Sequence, residues 1–187
     1  RPNAIVAEVL VRALRRHGVE MIFGQSIPTQ IHLHGPAAGI RLRGYRTENA
    51  GAAMADGYAR VSGRIGVVSA QNGPAATLLV PGLAEALKAS VPVLALVQDV
   101  NAIDADKNAF QELDHVPLFG GCAKWIRRVT QAERIEDYVD MAVTAATSGR
   151  PGPAVLLLPQ ELLSQPARAG MGRAARHGIW GLGRPLA

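Results

Sequence analysis

Three short stretches of the sequence consist almost entirely of apolar residues, and they constrain the fold more than any other feature. They read RIGVVSA (64–70), VPVLALVQD (91–99) and GPAVLLLP (152–159). Strands buried on both faces have such continuous apolar runs, whereas strands with one exposed face alternate apolar and polar residues. The chain is therefore expected to contain parallel strands that are covered by helices.

Helix-like segments alternate with these runs and with three further strand-like runs. The predicted helices include residues 3–18, with Asn3 as N-cap and Gly18 just past the end, residues 73–90 as one helix, and residues 132–149. The additional strands are predicted in VEMIFG (19–24), GIRLRGYRT (39–47) and AKWIRRVT (123–130). We predict a three-layer α/β fold with about six mostly parallel strands and helices on both faces.

Composition narrows the class of protein. The 187 residues are 48% hydrophobic but only 4% aromatic, so the core should consist of Ala, Val, Leu and Ile. The single cysteine, Cys122, excludes an internal disulfide; it is expected to pack in the core and fits a reducing, cytoplasmic location. No apolar run reaches the roughly 18 residues of a membrane span, so no membrane association is predicted.

The net charge of +5 comes mainly from the C-terminal segment. From residue 164 onward there are four arginines and no acid, which leaves +1 for residues 1–163. The body therefore lacks the basic face that nucleic-acid binding requires. We predict one domain over residues 1–163, followed by a basic linker or truncated tail rich in Gly, Ala and Arg over residues 164–187.

Polar residues are predicted at the carboxyl ends of the strands, where parallel sheets bind ligands. They include Gln25, Glu48, Gly73–Pro74 and Asp99. Glu48 is the most unusual, because it precedes a helix whose first turns, residues 50–53, carry side chains no larger than a methyl group. His32 and His34 could face one side of a strand, but no acid or cysteine lies near them in the sequence, and no metal site is predicted.

Several segments occur together in an order that resembles one enzyme superfamily. They are RTENAGAAMADGYARVSGRIGVV, NGPAAT, ASVPVLALVQD, NAFQELD, AKW and SGRPGPAVLLLPQEL. Over about residues 3–163 the chain resembles the N-terminal pyrimidine-binding domain of thiamine-diphosphate-dependent enzymes. It is most similar to the acetolactate synthase group, which are transferases of branched-chain amino acid biosynthesis acting on 2-oxo acids.

The resemblance implies a role for Glu48. In the family, the glutamate at this position meets N1′ of the cofactor's aminopyrimidine ring and stabilises the 4′-imino tautomer, which removes the C2 proton of the thiazolium. A carboxyl group among small apolar side chains is poorly solvated, which favours proton sharing, whereas a helix N-terminus favours the ionised form. The alternative interpretation of Glu48 is an acid that only stabilises the start of its helix.

The resemblance also implies roles for other residues. Gly73 and Pro74 match the Gly-Pro-Gly turn that touches the pyrimidine ring. Phe110 and Gln111 match residues that line the reaction cavity, and Gln25 lies where the first cofactor-contacting loop begins. For each of these residues, packing at a strand end is the alternative.

Four departures separate this chain from the usual family pattern. Thr47 replaces a histidine, Ala75 replaces the second glycine of the turn, and Leu78 replaces an asparagine that hydrogen-bonds the cofactor. The sequence Ser26-Ile27-Pro28 replaces the Pro-Gly-Gly that follows the first strand. A related carboligase or decarboxylase with another 2-oxo acid is therefore also consistent with the sequence. A non-catalytic α/β binding or interaction domain is the alternative from a different functional class.

The family resemblance further implies partners that the chain does not contain. Family enzymes bind the diphosphate through Mg²⁺ on a separate domain with a Gly-Asp-Gly motif, which is absent here, and the site lies between two subunits. The chain is therefore expected to be a fragment or one half of a split enzyme, inactive alone and active as a homodimer or homotetramer; FAD binding is left open. The small residues of the helix after Glu48 (Ala52, Ala53, Ala55 and Ala59) are expected to face a second subunit; the alternative is that these alanines only pack on their own sheet.

Overall fold

The computed structural model describes residues 4–167. Its strands are β1 (Met21–Phe23), β2 (Arg41–Arg43), β3 (Gly66–Ala70), β4 (Val93–Asp99), β5 (Trp125–Arg128) and β6 (Pro153–Pro159). They form one six-stranded sheet in the order β2-β1-β3-β4-β6-β5, and every neighbouring pair is parallel. The predicted fold class is confirmed, with a sheet that is parallel throughout.

Helices connect the strands in the manner of an α/β fold. They are α1 (Val6–Arg16), α2 (Thr29–His34), α3 (Glu48–Ser62), α4 (Pro74–Thr77), α5 (Val80–Ala89), α6 (His115–Phe119), α7 (Ile135–Thr147) and α8 (Gln160–Ser164). Short 3₁₀ turns occupy Pro36–Ala38, Ala102–Asp104 and Ala132–Arg134.

Two hydrophobic cores lie on opposite faces of the sheet. Helices α1 and α7 contribute to one core, and α3 and α5 contribute to the other. Successive side chains of a strand point to opposite faces, so Leu94 belongs to the first core, whereas its neighbours Val93 and Ala95 belong to the second. This arrangement explains why the strand sequences are apolar without alternation.

Two helix boundaries differ from the sequence-based predictions. The segment predicted as one helix over 73–90 is two helices, and the break at Leu78 and Leu79 lies before Pro81. Pro81 stands in the first turn of α5, where its missing N–H has no partner to lose. The N-cap of α1 is Ile5; Asn3, the predicted N-cap, lies outside the described residues.

Small residues of α3 allow the helix to lie close to its own neighbours. A Cβ at Gly66 would lie 2.0 Å from the Ala55 carbonyl oxygen, and one at Gly82 would lie 2.5 Å from the Ala52 Cβ. Ala52, Ala55 and Ala59 are buried in the second core. The expectation that these three alanines face a second subunit is therefore wrong, because they are needed for contact with β3 and α5; Ala53 is exposed.

The segments AKW and SGRPGP, which carry part of the family resemblance, meet at the amino edge of the sheet. Lys124 Nζ donates to the carbonyl oxygens of Ser148 and Arg150 at 3.0 and 2.8 Å. The Arg150 guanidinium donates to Ser90 Oγ at 2.7 Å and to the Lys88 carbonyl at 2.8 Å. These residues hold the loops that lead into β4 and β6, and so their role in this chain is structural.

The C-terminal part of the described chain returns to the N-terminus. Helix α8 ends at Ser164, and Ala167 N donates to the Ala4 carbonyl at 2.6 Å, next to an antiparallel bridge between Ile5 and Pro166. Residues 164–167, assigned to the tail by sequence, therefore pack on the domain, while the rest of the predicted tail lies outside the described residues. No helix within residues 4–167 is long and apolar enough to cross a membrane.

Cys122 is buried, as predicted for a core residue. Its relative exposure is 3%, and its Sγ lies 3.6 Å from the Phe119 carbonyl oxygen. Burial raises the pKa of the thiol to about 11. At neutral pH the side chain is therefore a protonated, unreactive thiol.

Candidate functional site

The predicted site residues lie along one edge of the sheet. Because all six strands are parallel, the segments that follow them emerge on the same side. Gln25 follows β1, Glu48 follows β2, and Gly73 follows β3. Since β1 lies between β2 and β3 in the sheet, the loop that bears Gln25 separates the Glu48 segment from the Gly73 turn.

Glu48 is the first residue of α3. Thr47 precedes it in an extended conformation and does not cap the helix; its hydroxyl contacts the Asn49 side chain instead. The Glu48 side chain is half-buried, and the residues on either side of it are exposed. The helix N-terminus favours a negative charge at this position. The poor solvation expected for this carboxyl group is therefore only partly provided by the chain itself.

Tyr45 forms the buried base beneath the Glu48 segment. Its hydroxyl donates to the Ser69 carbonyl at the end of β3, at 2.7 Å. Gly51 passes directly over the ring, where a Cβ would lie 2.3 Å from Tyr45 Cδ1. Burial raises the pKa of Tyr45, and the nearby Glu48 carboxylate adds to this effect. The first turn of α3 is thus fixed to β3 through one tyrosine.

Gln25 fixes the loop before α3 from the other side. Its side chain is exposed, and its Nε2 donates to the carbonyl oxygens of Tyr45 and Arg46 at 3.3 and 3.2 Å. A glutamine that was predicted to contact the cofactor therefore holds the backbone that leads into Glu48.

The Gly73 turn has a backbone conformation that few other residues can adopt. Gly73 has φ +64° and ψ −123°, which is unfavourable for a residue with a side chain. A Cβ there would also lie 2.4 Å from the Gln111 carbonyl oxygen. Pro74 begins α4 and is exposed. The structure thus places Gln111 against the Gly73 turn from which α4 begins.

The loop that bears Phe110 and Gln111 is attached to the same turn. Asn72 Nδ2 donates to both of their carbonyl oxygens at 3.0 Å, and Asn72 Oδ1 lies 3.4 Å from Gln98 Nε2. Gln111 has a positive φ of 55°, and its Oε1 is buried without a hydrogen-bond partner among the described residues. The Phe110 side chain, by contrast, is 79% exposed.

A buried polar chain, not recognised in the sequence, supports the turn from behind. The Gly73 N–H donates to His115 Nε2 at 2.9 Å, and His115 Nδ1 lies 3.3 Å from Asp99 Oδ1. Arg128 Nε donates to Asp99 Oδ2 at 2.6 Å. The sequence placed Asp99 at this edge but gave no signal for His115, because a helix of five residues is too short for a periodicity that marks one of them as buried.

The electrostatics of this chain favour an ionised Asp99. Burial alone would raise the pKa of its carboxyl group, but the contacts with His115 and Arg128 outweigh burial and lower the pKa below its ordinary value. Asp99 therefore carries a negative charge at neutral pH, although it is only 2% exposed.

A cavity of about 940 Å³ opens farther along the same edge, at the ends of β4, β5 and β6. Its lining includes Asp99, Asn108, Glu112, Arg128 and Glu161. Within residues 4–167 no group of three or more His, Cys, Asp or Glu side chains is arranged to hold a metal ion. His32 and His34, considered as a pair in a strand, lie on helix α2 instead.

The fold and this edge define a class of protein. Residues 5–118 match the family described as thiamine pyrophosphate enzyme, N-terminal TPP binding domain, and the chain belongs to this family. The predicted resemblance is confirmed.

Curated relatives make the comparison more specific. The chain is 38% identical over 162 residues to acetolactate synthase, chloroplastic, from Arabidopsis thaliana, an alignment that covers 85% of this chain and 24% of the relative. It is 37% identical over 160 residues to acetolactate synthase isozyme 2 large subunit from Escherichia coli, with 83% and 29% covered. A probable acetolactate synthase large subunit from Methanocaldococcus jannaschii is also 37% identical, with 83% and 27% covered. The chain thus spans about a quarter of the length of these enzymes.

Proposed function

We propose that this chain forms the aminopyrimidine side of a thiamine diphosphate site in an acetolactate synthase-like enzyme that acts on 2-oxo acids. The observation that carries the proposal is the position of the Glu48 carboxylate at the first residue of α3, on the sheet edge that also bears the Gly73–Pro74 turn. The names of the aligned relatives support the same activity.

The polar groups at this edge are compatible with an aminopyrimidine ring. Such a ring offers N–H donors and nitrogen acceptors in one plane. The buried Gln111 Oε1 is an acceptor without a partner among the described residues, and a buried acceptor of this kind costs free energy until a donor reaches it. The half-buried Glu48 carboxyl group can either accept or donate a proton. When bound, thiamine diphosphate supplies the carbanion chemistry that conversion of 2-oxo acids requires.

In this proposal Glu48 shares a proton with N1′ of the ring. In the chain alone the Glu48 side chain is only half-buried, and the helix N-terminus favours a negative charge at its position. A second surface that covers Glu48 would exclude water and strengthen the interaction between the carboxylate and N1′. Tyr45 and Gln25 then act as supports, because they fix the backbone on both sides of Glu48.

We further propose that the second surface comes from another subunit. Diphosphate and Mg²⁺ would bind to a different domain. Exposed apolar side chains occur on α3 and at the α4–α5 connection, where Met54 is 37% and Leu78 is 44% exposed. These residues, rather than the buried alanines of α3, form the proposed contact surface.

The proton exchange at C2 of bound thiamine diphosphate tests the role of Glu48. In the assembled enzyme, Glu48→Gln should slow C2 exchange at least about 100-fold, because the amide keeps the shape but cannot exchange the proton. Glu85→Gln is the matched control; Glu85 is an exposed acid on α5 that pairs with Arg60 and should leave the rate unchanged. Equal exchange rates in wild type and Glu48→Gln would exclude this role.

The contact surface has a separate test. Met54→Asp should shift the 187-residue chain toward monomer in sedimentation velocity, since it places a charge on the proposed interface. Ile103→Asp is the control, because Ile103 is 76% exposed in the turn after β4. If neither variant changes the distribution of sedimentation coefficients, the α3 surface is not the contact between subunits.

A second candidate function is a binding domain without catalysis. Leu78 favours it, since a leucine cannot replace the hydrogen bond of the family's asparagine. Calorimetric titration of the assembled enzyme with thiamine diphosphate and Mg²⁺ separates the two candidates. The enzyme should bind the cofactor, whereas a non-catalytic domain should give no heat. The 187-residue chain alone is expected to bind weakly and to be inactive.

A further inference from the structure

His115 is a fully buried polar side chain in the described structure that the proposed reaction does not use. It begins α6 with an exposed fraction of 0%, and Phe119 of the same helix stacks on its ring. A buried imidazole is costly unless its nitrogens have partners. The partners of His115 therefore indicate why the residue is there.

The first partner is the backbone of the Gly73 turn. The Gly73 N–H donates to His115 Nε2 at 2.9 Å. A nitrogen that accepts a hydrogen bond carries no proton, so the neutral ring must hold its proton on Nδ1. Protonation of Nε2 would point one N–H at another and would break this contact.

The second partner fixes the same tautomer. Nδ1 lies 3.3 Å from Asp99 Oδ1, outside good hydrogen-bond geometry, but the negative charge of the carboxylate beside it favours a proton on Nδ1 over one on Nε2. Asp99 is in turn held by Arg128 at 2.6 Å. A continuous polar chain thus runs from β5, through the end of β4, to the turn after β3.

Gly73 needs such a support. With φ +64° and ψ −123°, Gly73 is close to the first central residue of a type II′ turn rather than helical, and its N–H has no helical partner. Asn72 is the residue before Gly73, and its side chain is held by hydrogen bonds that it donates to the carbonyl oxygens of Phe110 and Gln111. His115 is the group that sets the direction of the Gly73 peptide itself.

We infer that His115 is a positioning residue: as the Nδ1–H tautomer facing Asp99, it holds the Gly73–Pro74 turn in the orientation required by the ligand at this edge. The ligand part of this inference rests on the proposed function. His115 touches neither the cofactor nor a substrate in this account, and it acts through the backbone of the turn.

The direct test is nitrogen NMR on the 187-residue chain. An N–H···N hydrogen bond gives a through-bond coupling between its two nitrogens, so a cross-peak should connect the Gly73 amide with His115 Nε2. The His115 nitrogen shifts should show an unprotonated Nε2 and a protonated Nδ1. A folded chain with a protonated Nε2, or without the cross-peak, would overturn the inference.

Two variants separate positioning from general stability. His115→Leu removes the acceptor and should accelerate hydrogen exchange of the Gly73 amide about tenfold or more, the effect of one lost buried hydrogen bond. His115→Gln offers Oε1 near the position of Nε2 and should restore most of the protection. The Gly24 amide, which donates to the Arg43 carbonyl, is the internal reference. Equal acceleration at Gly24 and Gly73, or no rescue by glutamine, would show a merely structural role.

The assembled enzyme gives the last readout. His115→Leu should raise the thiamine diphosphate concentration for half-saturation by about tenfold, and His115→Gln should reverse most of this rise. An unchanged half-saturation, with C2 exchange still dependent on Glu48, would refute the inference and leave the proposed function intact. C2 exchange that is independent of Glu48 would refute the proposed function. The NMR cross-peak between the Gly73 amide and His115 Nε2 would then test separately whether His115 positions the turn.

Discussion

The two halves of the candidate site are built differently. On the Glu48 side, the acid is half-buried, its neighbours in sequence are exposed, and the supports beneath it are one tyrosine and one glutamine. On the Gly73 side, the turn is enclosed by hydrogen bonds from Asn72 and to His115, and the charge of Asp99 is fully buried.

This difference indicates which half is complete. On the Gly73 side, the backbone groups of the turn and of the Gln111 loop are hydrogen-bonded within the chain and so have one geometry, although Gln111 Oε1 still lacks a partner among the described residues. A half-exposed carboxylate, by contrast, is still solvated by water, and its environment changes when another surface covers it. The Gly73 half is therefore preorganised by this chain, and the Glu48 half depends on a partner. The predictions below test this contrast, beginning with the largest expected effect.

Gly73→Ala should destabilise the chain by about 3 kcal/mol or more. The alanine would have to adopt an unfavourable positive φ, and its Cβ would overlap the Gln111 carbonyl, which is backbone and cannot turn away. Urea unfolding gives the change in free energy. Gly63→Ala is the control, because Gly63 also has a positive φ of 68° but a Cβ there meets nothing within 4 Å.

Gly63→Ala should lower the free energy of unfolding by about 1 kcal/mol, which is the conformational cost of a positive φ alone. The difference between the two variants isolates the close contact between the Gly73 turn and the Gln111 loop. Equal losses in the two variants would mean that the turn is not enclosed, and the contrast between the two halves would fail.

Asp99→Asn should destabilise the chain by about 1–3 kcal/mol at neutral pH, because it removes the charge that binds Arg128 and faces His115. The effect should depend on pH. The pKa of Asp99 is lower in the folded chain than its ordinary value of 3.8, so folding favours the ionised form. This contribution is complete above about pH 4 and is lost as the pH falls through the folded-state pKa.

The difference in free energy of unfolding between wild type and Asp99→Asn should therefore be smaller at about pH 3 than at about pH 7, with the change confined to the range below about pH 4. Asp106→Asn is the control, since Asp106 is an exposed acid of the following loop; its difference from wild type should be small at both values. A constant difference for Asp99→Asn would show that its carboxylate is not stabilised by the fold.

The contrast between the two halves also explains what the sequence could predict. The continuous apolar runs predicted β3, β4 and β6, because burial on both faces leaves a direct mark on composition. Glu48, Gly73 and Gln111 could be named because they resemble family positions, and the parallel sheet brings the loops that bear them to one edge.

The support of the turn could not be predicted in the same way. His115 contacts Gly73 across 42 positions of sequence, and Arg128 reaches Asp99 across 29; such contacts depend on strand order, which local patterns do not encode. The prediction for the alanines of α3 was wrong for the same reason. A stripe of small residues permits close approach, but only the fold decides that β3 and α5, rather than a second subunit, lie against it.

Glu48→Gln should change the stability of the chain least, by about 0.5 kcal/mol or less. The carboxylate gains a modest interaction with the N-terminus of α3, which water and salt screen because the side chain is half-exposed. The amide has nearly the same size and shape as the carboxyl group, so little else is lost. Urea unfolding of the 187-residue chain is the measurement, with Asp99→Asn run beside it as the variant of the buried half. A loss as large as that of Asp99→Asn would mean that Glu48 is a structural acid held by the fold. A small loss, combined with a large loss of C2 exchange in the assembled enzyme, is the pattern expected of a residue that is retained for chemistry and completed by a partner.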